Sequence, residues 1–253
     1  DNILQLPRLT VVGSRKPTTY GKSVTQSLVS AAGELGIAIV SGLALGIDAI
    51  AHQAALSVHT PTIAILPGGV HTVAPATNQK LAEHIIEQSG VLISEYAEGA
   101  PIYKTNFVAR DRLMAAFGDA VLVTEAAEKS GTLHTAAFAL DIGKPVLAVP
   151  GPITSPLSFG TNNLIKSGAI AVTCIEDILL AMGLQKTKLR ARKPDTFTPE
   201  EYAVIALLQQ GISDGASLAL QSRLSAAQFN QALTMLEISG RITSVGGDQW
   251  LLI

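Results

Sequence analysis

Short runs of consecutive apolar residues alternate with longer segments whose apolar positions recur every three or four residues along the first 183 residues. The runs are of strand length and are apolar at every position, so both faces of each strand should be covered. The longer segments have the period of helices packed on a core. Strands that alternate with helices are typical of a parallel, doubly wound sheet. We therefore predict an α/β fold with a mostly parallel sheet for residues 1–183.

The predicted elements follow directly from this pattern. The strands are expected at residues 9–12, 37–40, 62–66, 91–94, 120–124 and 146–149, with an edge strand at 169–172. The helices are expected at residues 20–35, 46–56, 76–88, 106–117, 132–141, 162–166 and 176–182. Ligands of such sheets bind beyond the carboxyl ends of the strands, where loops rich in Gly, Ser and Arg fall in this sequence.

The pattern changes after a linker at residues 184–197. Thr198, Pro199 and Glu200 have the order of an N-cap, a first-turn proline and a first-turn acid. Further helices are expected at 217–221 and 225–238, and strands at 242–245 and 249–252 flank a Gly-Gly-Asp turn. Three helices and a hairpin predict a small winged-helix domain at residues 198–253.

Composition narrows the class of protein. The 253 residues carry a net charge of −2, and five basic residues against one acidic residue make 184–197 a basic linker. No apolar run reaches the roughly 18 residues of a membrane span, and no signal peptide opens the chain. The single cysteine, Cys174, excludes an intramolecular disulfide and suits the cytoplasm. A first residue other than Met predicts that the chain starts inside a longer protein.

Glycine loops follow the first two predicted strands. Ser41, Gly42 and Gly46 lie between a strand and a helix, where the unpaired N–H groups of a first helical turn form a natural anion site. Gly13, Ser14 and Arg15 follow the first strand and could contact a phosphate through backbone, hydroxyl and guanidinium groups. An ordinary turn with solvated charges is the alternative for this second loop.

A cluster of cations surrounds an aromatic residue at the start of the helix expected at 106–117. Lys104, Phe107 and Arg110 follow one another at intervals of three, and Arg112 is close by. Phosphate contacts combined with a stacking surface are what a single-stranded nucleic acid requires. The alternative places Phe107 in the core with surface charges beside it.

Two further loops open helices at the same predicted edge. Lys129 precedes Ser130 and Gly131, with Ser130 as the expected N-cap, and Asn162 lies in the loop expected to open the next helix. A cation at a helix N-terminus is mildly unfavourable, so the position of Lys129 suggests an anionic partner. Together the four loops predict a site for the phosphate backbone of single-stranded DNA.

The sequence contains no pattern that supports catalysis. Gly21-Lys22-Ser23 lacks the upstream glycine of a P-loop, and the first loop lacks the glycines of a dinucleotide site. Asp48 and His52 are four residues apart on one helix and could form an acid–base pair, but a clamp that holds the loop is the favoured reading. We predict no catalytic centre, no metal site and no cofactor.

Taken together these residues resemble the DprA/Smf DNA-processing family. The resemblance covers about residues 9–183 through seven blocks in order: Val12-Gly13-Ser14-Arg15 with Tyr20-Gly21, Ser41-Gly42-Leu43-Ala44-x-Gly46-Ile47-Asp48 with Ala51-His52, Leu92-Ile93-Ser94-Glu95, Phe107-x-x-Arg110-x-Arg112, Glu125-Ala126 with Ser130-Gly131-Thr132-Leu133, Val149-Pro150-Gly151, and Ser158-x-Gly160-x-Asn162-x-Leu164-Ile165.

The resemblance implies an extended Rossmann-like fold, a homodimer and sequence-independent binding of single-stranded DNA without catalysis. It also implies delivery of that strand to the RecA recombinase in natural transformation. The family's DNA pocket falls on Arg15, Lys104, Phe107 and Arg110, together with the loops at 41–46 and 130–131.

The chain departs from the family at several positions. Pro67, His71 and Ala74 replace a Gly, an Asp and a Tyr, Val108 replaces a Pro, and Asp111 replaces an Asn. The carboxylate of Asp111 between two arginines is expected to weaken anion binding.

Two other functions stay open. The turn at 67–69 resembles that of nucleotide phosphoribohydrolases but lacks the Gly-Thr that follows it there. A winged-helix transcription regulator is the other alternative, although helix 225–238 has no basic residue and contains Glu237. We read this acidic domain as a protein-interaction or regulatory module.

Overall fold

The protein is described by a computed structural model that covers residues 3–185, 198–238 and 241–252. These residues form two compact units, which are treated separately below. The predicted basic linker at 184–197 lies outside the described residues, apart from positions 184 and 185. Among the described helices, none is long and apolar enough to cross a membrane.

The larger unit is built on a sheet of seven parallel strands. The strands are β1 (Arg8–Val12), β2 (Ala38–Ser41), β3 (Thr62–Ile65), β4 (Val91–Ile93), β5 (Ala120–Val123), β6 (Val146–Ala148) and β7 (Ile170–Ala171). Their spatial order is β4-β3-β2-β1-β5-β6-β7. The parallel pairing of every neighbouring pair confirms the predicted sheet.

Seven α-helices connect these strands. They are α1 (Thr19–Glu34), α2 (Ile47–Ser57), α3 (Gln79–Glu87), α4 (Lys104–Phe117), α5 (Thr132–Asp141), α6 (Phe159–Lys166) and α7 (Ile175–Ala181). Most predicted boundaries are correct to within two residues. The segment predicted as a helix at 76–88 opens with a 3-10 turn at Ala76–Asn78, and α6 begins three residues earlier than predicted.

The early start of α6 has a tertiary cause. The Gly160 N–H donates to the Ala126 carbonyl oxygen at 2.8 Å, and a Cβ at Gly160 would lie 2.6 Å from the Ala127 carbonyl oxygen. The first turn of α6 is therefore pressed against the loop after β5, where only glycine fits. That contact joins residues more than 30 positions apart, so the local pattern could not predict it.

Both faces of the sheet are buried, as the uninterrupted apolar runs predicted. Leu9 and Val11 of β1 point to one side and pack against α1, α2 and α7. Val12 points to the other side, where Met114 of α4 and Ala136 of α5 cover it. The core of the larger unit thus consists of two apolar layers on either side of a sheet whose central strands are buried and whose edge strand β7 is exposed.

The order of the strands creates a crossover at the centre of the sheet. The chain winds outward from β1 to β4, and α4 then carries it back over the sheet to β5, which pairs with the opposite side of β1. Beyond the carboxyl ends of β1 and β5 the connections diverge in opposite directions. Crevices for ligands form at such a switch point, and α4 lies directly beside it.

The smaller unit has the predicted winged-helix layout. Its elements are α8 (Pro199–Gln209), α9 (Gly215–Ser222), α10 (Ala226–Ile238), β8 (Ile242–Gly246) and β9 (Gln249–Leu252). Thr198 and Glu201 form a reciprocal capping box at the start of α8. Phe229, Leu233 and Leu236 of α10 are buried in one cluster with Val204 and Leu218. Strands β8 and β9 pair antiparallel as the wing.

Candidate nucleic-acid interface

A cleft of about 370 Å³ opens at the switch point, between the loop after β1, the N-terminal half of α2, α4 and the start of α5. The residues that line it come from segments far apart in the sequence: Val12, Gly13, Ser14, Arg15, Ala44, Asp48, Phe107, Val108, Arg110, Asp111, Met114, Ala127, Ser130, Gly131, Thr132, Thr135 and Leu157. Many of the predicted site residues meet here. The cleft also lies at the switch point, where the sheet topology predicts a ligand.

An exposed cation and an aromatic ring form the rim of the cleft. The Arg15 guanidinium carbon lies 5.6 Å from the centroid of the half-buried Phe107 ring. At that distance the positive charge is attracted to the face of the ring. Lys104 is exposed one helical turn before Phe107, at the first residue of α4. The rim thus combines positive charge with a ring that a base could stack on.

Arg110 does not belong to this exposed rim. Its side chain is almost completely buried, and Nη1 donates to the carbonyl oxygens of Gly42 and Ile65, both at 2.6 Å. Its Nε lies 3.2 Å from Oδ1 of Asp111. The prediction that Arg110 presents a cation to solvent beside Lys104 is therefore wrong. An α-helix turns by about 100° per residue, so six residues place Arg110 about 120° away from Lys104, on the buried side.

The sequence predicts that Asp111 lies between two arginines of the site and weakens anion binding. In the structure Asp111 has different neighbours. It pairs with buried Arg110, whereas Arg112 points away and pairs with Glu95 near the surface. Burial raises the pKa of Asp111 to about 6, and the charge of Arg110 opposes that rise. Asp111 therefore lies on the wall of the cleft, while Arg112 is absent from its lining.

The loop at 41–46 does not offer the N–H groups of Gly42 and Ala44 to the predicted anion. The Ser41 hydroxyl donates to the Val11 carbonyl oxygen at 2.7 Å, and Ser41 is fully buried. The N–H groups of Gly42 and Ala44 donate to Oδ2 of Asp48 at 3.2 and 3.4 Å. The carboxylate of Asp48 thus occupies the place that a phosphate would have to take. This result corrects the reading of Ser41 and Gly42 as DNA contacts.

The loop after β1 is also held by its own backbone. The Ser14 N–H donates to the Glu125 carbonyl oxygen at 2.7 Å, and the Ile47 N–H donates to the Ser14 carbonyl oxygen at 3.1 Å. The Ser14 hydroxyl accepts from the Lys16 N–H at 3.1 Å. Gly13 packs against Ile47, where a Cβ would lie 2.6 Å from its side chain. These bonds make the loop a rigid support that leaves the Arg15 side chain exposed.

Gly46 allows this close approach of two loops, and its replacement tests the arrangement. Gly46 has a φ of +78°, and a Cβ there would lie 2.3 Å from the Ser14 carbonyl oxygen. We expect Gly46→Ala to lower the free energy of unfolding by about 2 kcal/mol, from backbone strain and steric overlap together. Urea denaturation measures the loss.

Gly143→Ala is the matched control for that substitution. Gly143 has a similar φ of +71°, but a Cβ there meets nothing within 4 Å. Backbone strain alone should cost about 1 kcal/mol. Equal losses in the two variants would show that the contact between Gly46 and Ser14 contributes nothing to stability.

The sequence suggested that Asp48 and His52 could form an acid–base pair. In the structure each side chain hydrogen-bonds to other partners. His52 Nδ1 lies 2.8 Å from Oγ1 of Thr62, and that hydroxyl donates its proton to the Ile39 carbonyl oxygen at 2.9 Å. His52 must then donate from Nδ1, which leaves Nε2 as an acceptor, buried without a partner among the described residues. Burial, reinforced by the charge of Arg110, lowers the pKa of His52 to about 3. Asp48 therefore holds the loop, as the clamp hypothesis predicted, whereas His52 bonds Thr62 of β3 and not the loop.

The neutral state of His52 gives stability a defined pH dependence. The unfolded imidazole takes up a proton near pH 6.5, whereas the folded one stays neutral to about pH 3. The unfolded state therefore binds more protons as the pH falls below 6.5, and stability falls with it. We expect the stability advantage of the wild type over His52→Asn to shrink by about 1.4 kcal/mol per pH unit between pH 6 and 4.

Comparison of the wild type with His52→Asn isolates the contribution of His52 to the pH dependence of stability. Burial raises the pKa of the Asp48 carboxyl and of the Asp111 carboxyl, which acts in the opposite direction but is present in both proteins. Urea unfolding at several pH values measures the difference. A difference that stayed constant from pH 7 to pH 4 would contradict a neutral buried His52.

The remaining predicted residues lie around the cleft in different ways. Ser130 and Gly131 line it, and Lys129 is exposed next to them. The N-cap of α5 is Gly131 rather than Ser130, whose hydroxyl accepts from the Thr132 N–H at 3.3 Å. Asn162 is not part of the lining, because its side-chain amide bonds the N–H and the carbonyl oxygen of Gly151. It holds the loop before α6.

Several residues that shape the site were not predicted. Asn78 donates to the carbonyl oxygens of Leu43 and Ala44 at 2.8 and 3.2 Å and so holds the loop at 41–46 from its outer side. Asn106 donates to the Pro67 carbonyl oxygen at 3.0 Å and anchors the start of α4. A buried asparagine beside a loop is the signal that could have identified both.

Glu125 supports the site from beneath. Its carboxylate accepts from the Thr18 N–H at 2.8 Å and from the Thr18 hydroxyl at 2.6 Å, which fixes the start of α1.

Val108, one of the positions that depart from the family pattern, lines the cleft and is 40% exposed. Among the described residues, no group of three or more His, Cys, Asp or Glu side chains could hold a metal ion.

The doubly wound sheet and the winged-helix unit define a protein with a Rossmann-like core and a second, winged-helix unit. Residues 2–183 match the family of DNA recombination-mediator protein A, and residues 188–248 match the DprA winged helix domain. The chain belongs to this DprA/Smf family of DNA-processing proteins.

Individual relatives support this assignment. Protein Smf of Escherichia coli is 44% identical over 172 residues, covering 68% of this chain and 46% of the relative. The putative DNA processing protein DprA of Mycobacterium tuberculosis is 39% identical over 237 residues, covering 91% of this chain and 60% of the relative. This chain thus spans about half the length of these curated relatives.

A solved structure gives the same result. DNA processing protein A of Helicobacter pylori, described for its single-stranded DNA binding mode, superposes with a TM-score of 0.65 at 34% identity. The match covers 72% of this chain and 83% of that protein. The superposition shows that the two proteins share a fold.

Proposed function

We propose that this protein binds single-stranded DNA without regard to sequence, through phosphate contacts from exposed cations and stacking on Phe107. The observation that carries the proposal is the Arg15 guanidinium 5.6 Å from the Phe107 ring, at the open mouth of a cleft at the switch point. The H. pylori relative described for its single-stranded DNA binding mode supports the same ligand.

The proposed contacts divide into two kinds. Arg15, Lys104 and Lys129 are exposed and provide charge for the phosphate backbone, which carries no sequence information. Phe107 provides an aromatic surface that accepts any base, because every base has a π-face. Arg110 and Asp48 support this surface through their bonds to Gly42 and Ile65 and to the loop at 41–46. Such a division accounts for binding that tolerates any sequence.

We also propose that the family's wider role applies here. In that role a homodimer in the cytoplasm delivers the bound strand to the RecA recombinase during natural transformation, and the protein acts as a binding protein and not as an enzyme. The engagement of Asp48 and His52 by the loop and by Thr62 supports a binding role for the cleft, because neither side chain is left free for acid–base chemistry. The dimer and the recombinase step rest on family membership.

Fluorescence anisotropy with the full chain tests the binding proposal. Labelled oligo-dT and a duplex of equal length are titrated at two salt concentrations. We expect preference for the single strand and a fall in log affinity of about 0.7 per log unit of salt for each phosphate contacted. Equal binding of the duplex, or an affinity that does not change with salt, would contradict the proposal.

The recombinase step needs a separate measurement. RecA is added to single-stranded DNA already covered by a single-strand-binding protein, and ATP hydrolysis reports filament formation. If the chain loads RecA, the lag before hydrolysis shortens in its presence. An unchanged lag in the presence of a chain that binds oligo-dT would remove this part of the proposal alone.

A further inference from the structure

Tyr103 is a large aromatic side chain that the fold leaves exposed just outside the cleft. It is 61% exposed and is not among the residues that line the cleft. It is the N-cap residue of α4 and precedes Phe107 by four residues. That interval places two side chains on the same face of a helix, one turn apart. Beyond the ring at the mouth of the cleft, α4 therefore presents a second ring to solvent.

The backbone that carries Tyr103 is held on both sides. Ile102 packs against Gly68, where a Cβ would lie 2.5 Å from Cγ1 of Ile102. The Asn106 N–H donates to the Tyr103 carbonyl oxygen at 3.1 Å, and the Asn106 side chain donates to the Pro67 carbonyl oxygen at 3.0 Å. A ligand that lies on the Tyr103 ring therefore has only the two side-chain torsions to order, which costs little conformational entropy.

The start of α4 also favours an anion between the two rings. Lys104, the first residue of α4, is exposed. In the described structure the first turn of α4 contains no acidic residue, and the Tyr103 side chain makes no capping hydrogen bond. The positive end of the helix dipole and the charge of Lys104 therefore add together, which costs free energy unless an anion is near. The phosphate that links two neighbouring nucleotides is such an anion.

The spacing of the two aromatic residues along α4 decides which nucleic acid fits. Four residues of an α-helix rise about 6 Å along its axis. Consecutive nucleotides of one strand in a duplex follow each other every 3.4 Å or so, and the faces of their bases are covered by stacking. Two neighbouring bases can lie on rings one helical turn apart only when they are unstacked from each other, which a single strand allows.

We propose that Tyr103 stacks on a second nucleobase of the bound strand, outside the cleft, with Lys104 beside the phosphate that joins it to the nucleotide at Phe107. The inference rests on the proposed function and extends the site by one nucleotide towards the loop before α4. An aromatic ring accepts any base, so the site stays independent of sequence. The preference for single strands then depends in part on a residue outside the cleft.

Anisotropy titrations of the full chain with labelled oligo-dT test this contact. We expect Tyr103→Ala to weaken binding by about five-fold or more, the lower end for one stacked base, and Tyr103→Phe, which keeps the ring, to stay within about two-fold of the wild type. The slope of log affinity against log salt should not change, because no phosphate contact is removed. A Tyr103→Ala variant that binds as tightly as the wild type would overturn the inference.

Tyr202→Ala is the matched control. Tyr202 has nearly the same exposure, 63%, but it belongs to α8 of the winged-helix unit. We expect this variant to bind oligo-dT as the wild type does. Equal losses in Tyr103→Ala and Tyr202→Ala would show that the position of Tyr103 beside Lys104 is not what matters, and would contradict the assignment.

A double variant separates direct contact from support of Phe107. Tyr103 and Phe107 are neighbours on α4, so the loss of one ring could act by displacing the other. If each ring holds its own base, the fold-losses of Tyr103→Ala and Phe107→Ala multiply in the double variant. A double variant that binds no more weakly than Phe107→Ala alone would show that Tyr103 only positions Phe107, and the stacking role would be wrong.

The outcomes also separate this inference from the proposed function. A wild type that binds oligo-dT no better than a duplex, or binds it without salt dependence, fails the proposed function. A wild type that prefers oligo-dT with the expected salt dependence, but loses no affinity in Tyr103→Ala, retains the proposed function and fails only here.

Discussion

Arg110→Met should lower the free energy of unfolding by about 3–5 kcal/mol, the cost of removing one partner from a buried ion pair. The substitution keeps the length of the side chain but deprives the Gly42 and Ile65 carbonyl oxygens of their donor. It also leaves the Asp111 carboxylate buried without its positive partner. Asp48, whose carboxyl also interacts with the charge of Arg110, loses that interaction as well. Urea denaturation at pH 8 measures the loss.

Arg112→Met is the matched control two positions further along the same helix. Arg112 is half exposed and pairs with Glu95 near the surface, where such pairs contribute about 1 kcal/mol or less. The cost of Arg110→Met should also decrease at low pH, because protonation removes the uncompensated charge of Asp111. Similar costs for the two arginines would contradict the structural role of Arg110.

The double charge reversal Arg15→Glu with Lys104→Glu should weaken binding of oligo-dT by about a hundred-fold or more. Both side chains are exposed near the cleft, and each reversal turns an attraction for phosphate into a repulsion. The magnitude of the slope of log affinity against log salt should fall by about 1.4, because two phosphate contacts are lost. Anisotropy over a series of salt concentrations gives both quantities.

Lys80→Glu combined with Lys166→Glu provides a control with the same change in net charge. Both lysines are exposed on helices α3 and α6, and neither lines the cleft. Their reversal should weaken binding only through the long-range field, which salt screens. Equal losses from the two double variants would show that net charge, and not the rim of the cleft, governs affinity.

The candidate site was only partly visible in the sequence, and Lys104, Phe107 and Arg110 show why. Their spacing placed them on one helix, and the match to known blocks placed that helix at the ligand. The helical period does not show which of these three side chains is covered by the rest of the protein and which is exposed. Arg110 is drawn inward because the carbonyl oxygens of Gly42, just after β2, and of Ile65, at the end of β3, need a donor there.

The loop at 41–46 shows the same limit for backbone groups. Glycines between a strand and a helix correctly predicted a tight turn with available N–H groups. Those groups are satisfied by Asp48, which lies on the helix that the loop opens. A phosphate and a carboxylate are both anions, so the pattern alone could not distinguish an external ligand from a side chain of the same protein.

The alternation of apolar runs and helical periods was sufficient to predict the parallel sheet, the buried faces and the winged-helix layout. Burial on both faces makes a strand apolar throughout, and burial on one face gives a helix its period. It was also sufficient to bring Arg15 and Phe107 to one edge. Which cations meet solvent and which stabilise the core depended on contacts between residues 45 to 68 positions apart. Such contacts follow from the order of strands around the switch point, which no local pattern encodes.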